Sequence, residues 1–107
     1  MNNKIIIAEE YTKYPGLRYE SLTPGISGER FRDDYLIPAL SEHQQIEVIL
    51  DGNIGQYIPS FLEESFAGLV RKLNLTMEDF TCRIKIISKE NPELIEEIYE
   101  YIKRELK

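Results

Sequence analysis

The 107 residues suit one domain of ordinary size, and with 42% hydrophobic and 30% charged side chains the chain can build a core, which excludes a disordered polymer. The net charge of −6 excludes non-specific binding to nucleic acid or to an anionic membrane, which needs a basic surface. Cys82 is the single cysteine, so no intrachain disulfide forms, and the apolar run Ile5 to Ala8 is too short for a signal-peptide core or a membrane span; a cytoplasmic chain is expected.

In chain order, Lys4 to Ala8 reads as a first strand, because it is β-branched and free of turn residues. Tyr14-Pro15-Gly16 and Thr23-Pro24-Gly25 are turn signals. Between them Leu17 to Leu22 alternates loosely enough to form an edge strand. Ser27 suits a helix N-cap, and Phe31, Tyr35 and Ala39 line one face of a helix from about Gly28 to Glu42. Pro38 lies within that helix, and a kink there is expected because Ala39 and Leu40 continue the apolar face.

Ile46 to Leu50 reads as a central strand with both faces covered, since Ile49 is apolar on the side opposite Ile46, Val48 and Leu50. Ser60-x-x-Glu63 reads as a capping box that opens a helix striped with Phe61, Leu62, Phe66, Leu69, Val70 and Leu73. Asn74 suits the left-handed residue that ends it. Thr81 to Ile87 reads as a strand with Cys82, Ile84 and Ile86 on its apolar face. Asn91 and Pro92 start a last helix, carried by Leu94, Ile95, Ile98, Tyr101 or Ile102, and Leu106. Strands alternating with helices imply an α/β fold: a single domain over residues 1–107 with about four strands in a mixed, mainly parallel sheet and three helices packed on it.

The chemistry-bearing residues are few. Asp51, Gly52, Asn53 and Gly55 form a loop after the central strand, but Gly52-x-x-Gly55 lacks the glycine spacing and lysine of a phosphate loop. The better reading is a partner-facing loop, with Tyr57, Phe61 and Glu64 beside it as contact residues. His43 is the only histidine and sits at a helix end, so no metal set or catalytic pair forms around it. Cys82 reads as a small buried hydrophobe. Glu63-Glu64 and Glu96-Glu97 point in different directions on their helices and read as solvated faces. Arg18, Arg30 and Arg32 read as surface ion-pairing groups. Tyr11, Tyr14, Tyr19 and Tyr57 offer a contact patch, of which about half should cap the core instead. No enzyme, metal or cofactor is expected from this set.

Three segments carry a family likeness: Ser27-Gly28-Glu29-Arg30-Phe31-Arg32 with Pro38-Ala39-Leu40; Val48-Ile49-Leu50-Asp51-Gly52; and Ser60-Phe61-Leu62-Glu63-Glu64-Ser65-Phe66-Ala67-Gly68-Leu69. With the element order, over roughly Lys4 to Ile87, they resemble the STAS-like domain family catalogued as DUF4325. The resemblance implies a small α/β sheet with helices on one side and a non-enzymatic regulatory role like that of anti-sigma-factor antagonists. It also implies an ATPase or kinase partner of the GHKL type and a phospho-acceptor serine at the strand–loop–helix position that Ser60 occupies here. In the STAS motif that serine follows the strand's acidic residue closely, whereas Asp51 and Ser60 are nine apart.

Two other functions fit the same residues. One is a small-ligand or nucleotide binder using the Asp51–Gly55 loop. The other is a phage- or mobile-element-encoded acidic inhibitor that competes for a basic site. A homodimer is compatible with each.

Overall fold

The computed structural model describes residues 3–107. Three parallel strands, β1 (Lys4–Ile6), β2 (Ile46–Ile49) and β3 (Ile84–Ile87), form a sheet in the order β1-β2-β3. Ile5 pairs with Val48, and Val48 with Ile86. Five helices accompany them: α1 (Ile7–Glu10), α2 (28–42), α3 (59–73), α4 (Met77–Arg83) and α5 (Glu93–Glu105).

The sheet thus has three strands, all parallel, where about four were expected, and five helices where three were expected. The first strand ends at Ile6, two residues short of its expected end at Ala8, and the chain is helical from Ile7. Leu17 to Leu22 is not a strand. Its backbone is spent on turns, with Gly16 N–H bonded to the Ile26 carbonyl and Leu22 N–H to the Tyr19 carbonyl. Thr81 to Arg83 belongs to α4, so the third strand starts only at Ile84, and Cys82 is exposed on the helix rather than buried in a sheet. The true capping box is here: Asp79 N–H donates to Thr76 Oγ1 at 3.0 Å and Thr76 N–H to Asp79 Oδ2 at 2.9 Å.

Both long helices contain a wide π turn, Arg32–Leu36 in α2 and Glu63–Ala67 in α3. The one in α2 immediately precedes Pro38. A proline ring clashes with the carbonyl four residues back, and widening the turn lets the helix run on to Glu42. Ala39 and Leu40 are buried, as their pattern requires. Ser27 caps α2 by accepting the Arg30 N–H, and Asn74 closes α3 at φ 55°. α5 starts at Glu93 without a side-chain cap; the Asn91 N–H instead donates to Ser88 Oγ.

One core lies between the helices and one face of the sheet. Ile5, Ile46, Val48, Ile84 and Ile86 supply the sheet side, and Phe31, Leu36, Phe61, Phe66, Leu69, Ile98 and Ile102 the helix side. The opposite sheet face is open. Lys4 and Lys85 are exposed on it, and Ile6, Glu47, Ile49 and Ile87 are half-buried. The expectation that both faces of β2 are covered is therefore corrected: β2 is central in its sheet, but every helix that joins the core does so on one side.

Candidate functional site

β2 delivers the chain at Leu50 to a turn at the C-terminal edge of the sheet, where Gly52 adopts φ 95°, a conformation that disfavours a side chain. Asp51 is half-buried, and its carboxylate is taken up by hydrogen bonds within the protein. Its Oδ1 accepts from Ser88 Oγ at 2.9 Å and from the Glu90 N–H at 3.2 Å, and its Oδ2 accepts from the Lys89 N–H at 2.8 Å. Burial alone would raise its pKa, but these three donors outweigh it and hold the carboxyl below its ordinary value. Asp51 is thus a tie between the end of β2 and the loop that starts α5. Glu90 completes the tie by accepting the Gly52 N–H at 2.9 Å.

The next residues are fastened to a second loop, 12–26. Ile54 and Gly55 both donate their N–H to the Lys13 carbonyl, at 2.8 and 3.0 Å, and the Asn53 amide reaches the Gly55 carbonyl. A Cβ on Gly55 would lie 3.4 Å from Tyr14 Cα, so the two loops touch. Loop 12–26 is itself pinned by Glu20, whose carboxylate accepts from Ser27 Oγ at 2.7 Å and the Gly25 N–H at 2.6 Å. Tyr11 Oη donates to the Ser27 carbonyl at 2.7 Å.

Three of the expected contact residues are inside the molecule. Tyr57 is buried, its hydroxyl donating to the Leu50 carbonyl at 2.9 Å, and burial pushes its pKa up. Phe61 is fully buried, its ring 5.8 Å from that of Tyr57 and 6.1 Å from that of Phe31. Glu64 is buried under three arginines: it pairs with Arg32, with Arg18 at 3.0 Å and with Arg71 at 3.4 Å. In the free chain all three side chains are thus turned into the protein rather than presented at its surface. The loop residues Asp51, Gly52, Asn53 and Gly55 stay at the surface, but their polar groups mostly hold the loop together.

The basic cluster does form ion pairs. Arg18 pairs with Glu63 and Glu64, Arg30 with Glu20 and Asp34, and Arg32 with Asp33 and Glu64. Arg32, however, is buried rather than on the surface, because it and Glu64 come from the facing π turns of α2 and α3.

Ser60 is not the cap of α3. The residue before a proline is pushed to extended geometry, and Ile58, at ψ 139°, takes the cap position without a side-chain bond. Pro59 then fills the first helical position, where a missing N–H costs nothing. Ser60 is the second helical residue, half-buried, and Glu63 turns away to Arg18. Ser60 lines a cleft of about 470 Å³ with Arg18, Glu63, Tyr101, Arg104 and Glu105. Arg104 lies over the Tyr101 ring, 5.7 Å from its centroid.

The large apolar side chains most open to solvent near the site include Tyr14 and Tyr19, expected in the contact patch, and Ile54, Leu17, Leu22 and Ile58, which the sequence did not single out as contacts. Ile54 is 65% exposed, Tyr14 57% and Tyr19 49%, with Leu17, Leu22 and Ile58 also open to solvent. All six stand on loops 12–26 and 51–58. Of the four tyrosines considered, Tyr14 and Tyr19 face out while Tyr11 and Tyr57 join the core, an even division. The signal in the sequence was a leucine, isoleucine or tyrosine inside a turn-rich stretch.

His43 ends α2 as its C-cap, its N–H bonded to the Ala39 carbonyl. No group of three metal-ligating side chains occurs among the described residues, and no described helix is long and apolar enough to cross a membrane. Comparison with curated proteins and with solved structures gives no match. The family model described as "STAS-like domain of unknown function (DUF4325)" matches residues 27–94, the stretch that holds α2, β2, Ser60, the Arg32–Glu64 pair and β3. A match over more than half of the chain identifies it as a member of the STAS-like domain family.

Proposed function

We propose that this chain is a non-enzymatic regulatory module of the cytoplasm that docks a protein partner through loops 12–26 and 51–58. The observation that carries the reading is the apolar surface of those loops: Tyr14, Leu17, Tyr19, Leu22, Ile54 and Ile58 are exposed to water on loops whose backbone is itself hydrogen-bonded. Exposed apolar side chains gathered in one region mark interaction sites, and a pre-organised loop loses little entropy on binding. The partner class that a STAS-like architecture suggests is an ATPase or kinase of the GHKL type. Ser60 adjoins this surface through Ile58 and Pro59. A phosphate on it would face Arg18 and Arg104 across the cleft, and would also meet Glu63 and Glu105, so phosphorylation would rearrange the ion pairs beneath loop 12–26.

A nucleotide site at the Asp51–Gly55 loop is the weaker reading. The cavity there, about 390 Å³, is lined by Asp51 and Glu90, whose charges oppose a phosphate.

Affinity capture from the native cell tests the proposal, with Ile54→Asp and Tyr14→Asp as loop variants. Each should keep the wild-type unfolding midpoint, since exposed substitutions change stability by about 0.5 kcal/mol or less. Each should weaken the partner by about tenfold or more. Capture that survives both variants unchanged refutes the loop surface. Recovery of a nucleic-acid enzyme through its basic site would mark an acidic inhibitor instead, and phosphate found on Ser60 in the captured chain would establish the switch.

A further inference from the structure

The charges where α3 starts and α5 ends nearly all answer one another. Arg18 pairs with Glu63 and Glu64, Arg32 with Asp33 and Glu64, Arg71 with Glu63, Glu64 and Glu105, and Lys72 with Asp33, so four cations balance four anions. On the outer part of α5, Glu100 pairs with Lys103, and Glu97, which does not line the cleft beside Ser60, accepts from the Tyr101 hydroxyl. Arg104 is left over. Its guanidinium has no ion pair and no hydrogen bond among the described residues. It is held instead over the Tyr101 ring, 5.7 Å from the centroid, and a guanidinium stacked on an aromatic face keeps its fork of N–H donors available. The same cleft, about 470 Å³, contains a second unused group, the Ser60 hydroxyl, which has no hydrogen-bond partner among the described residues. Pro59 and Tyr101 give the cleft apolar wall beside these two donors.

We propose that this cleft receives a carboxylate, supplied by an aspartate or glutamate side chain of the docked partner. The proposal rests on the loop reading. Arg18 lies between the exposed Leu17 and Tyr19, and Pro59 and Ser60 follow the exposed Ile58, so the cleft continues the apolar loop surface. A planar carboxylate accepts parallel N–H bonds from a guanidinium, and a hydroxyl on the same wall is a further donor. The charge balance selects a single negative charge. Glu63 and Glu105 also line the cleft, but Arg18 and Arg71 already meet them, so Arg104 is the cation still to be answered. One carboxylate answers it. A phosphate, with nearly two negative charges, would have to draw Arg18 or Arg71 away from those acids and leave a carboxylate without its partner. A basic side chain would meet Arg104 as a like charge. The partner that fits therefore presents an acidic residue beside apolar ones.

The test is a titration of the ¹⁵N-labelled chain with acetyl-Leu-Glu-Leu-amide and with its glutamine and phosphoserine counterparts, read by NMR at the backbone amides and the Arg104 Nε–H. The glutamate peptide should shift Ser60 and Arg104 and bind about tenfold more tightly than the glutamine peptide. The phosphoserine peptide should bind more weakly than the glutamate one. Arg104→Gln should bring the glutamate peptide down to the glutamine level. Arg104→Lys should recover only part of the difference, because an ammonium keeps the charge and loses the fork. Lys103→Gln removes the same charge from the next residue and should bind as wild type does. Both positions are exposed, so the core amides should keep their places in every variant. The proposal is overturned by an absence of shifts at Ser60 and Arg104 with millimolar glutamate peptide. Equal binding of the glutamate and glutamine peptides, tighter binding of the phosphoserine peptide, or equal losses from Lys103→Gln and Arg104→Gln overturn it as well. If Tyr14 and Ile54 respond while the cleft stays silent, the carboxylate site fails and the loop reading stands. If the cleft responds and those loop amides do not, even in Ile54→Asp, the carboxylate site is supported and the loop surface fails.

Discussion

Gly28 is the first residue of α2, at the point where α2 crosses α3. A Cβ placed there would lie 2.6 Å from the Phe61 carbonyl oxygen and 3.1 Å from Phe61 Cα, both backbone atoms of the facing helix. Gly28 has no positive φ, so its glycine is needed for the close approach and not for an unusual backbone conformation. Gly28→Ala must therefore part the helices by roughly half an ångström or more to restore ordinary contact. That movement strains a core in which Phe31 stacks with Phe61 and meets Phe66 edge-on, and it lengthens the Ser65 Oγ bond to the Gly28 carbonyl, already 3.3 Å. Overpacking costs about 1–3 kcal/mol and a lost buried hydrogen bond about 1, against a gain in helix propensity of up to about 1 kcal/mol. The net expectation is a loss of about 1–3 kcal/mol. At roughly 4–8 °C per kcal/mol for a domain of about this size, the melting temperature should fall by roughly 5–20 °C. Thermal and urea unfolding followed by circular dichroism measure it. The matched control is Gly68→Ala, whose Cβ would meet only side-chain ends, Glu64 Oε2 at 3.0 Å and Arg32 Nη1 at 3.1 Å. If Gly28→Ala is as stable as wild type, the close α2–α3 crossing is wrong.

Three further outcomes follow from the same geometry. Thr76→Ala should cost about 1 kcal/mol in urea denaturation, because it removes half of a capping box, whereas Ser60→Ala should change stability by about 0.5 kcal/mol or less; equal losses would return the cap to Ser60. Glu64→Leu should cost about 2–3 kcal/mol by the same assay, at the low end for a broken buried pair because Asp33 still holds Arg32, and an unchanged midpoint would refute the network. Asp51 titrates below its ordinary value in the folded chain, so its contribution is present above the unfolded carboxyl pKa of about 3.9 and is lost as the pH falls through the lower folded value. Between pH 5 and pH 2 the wild type should therefore lose more stability than Asp51→Asn, and parallel curves would remove Asp51 from the tie.

Much of this protein is written in short-range signals. β2 follows from a β-branched run, α2 from a serine cap and an apolar face four residues apart, the end of α3 from Asn74, and α5 from its stripe. These succeed because cap chemistry, helical period and strand alternation involve residues within a few positions of one another. The same locality explains the failures. Pro59 and Ser60 compete for the start of α3, and the fixed φ of the proline won over the serine's hydroxyl. Thr81 and Cys82 favour strands, yet the capping box at Thr76 and Asp79 carried the helix through them. Glu64 looked like a surface charge until Arg18, Arg32 and Arg71 converged on it from three separate segments. Leu17 to Leu22 alternates like a strand, but a strand needs an edge to join, and the β1 edge is closed by Glu10. What the sequence by itself determined is which segments are regular and which faces are apolar. Which charges are buried and which loop residues stand in solvent were decided by the tertiary structure, because each depends on groups that only the folded chain brings together.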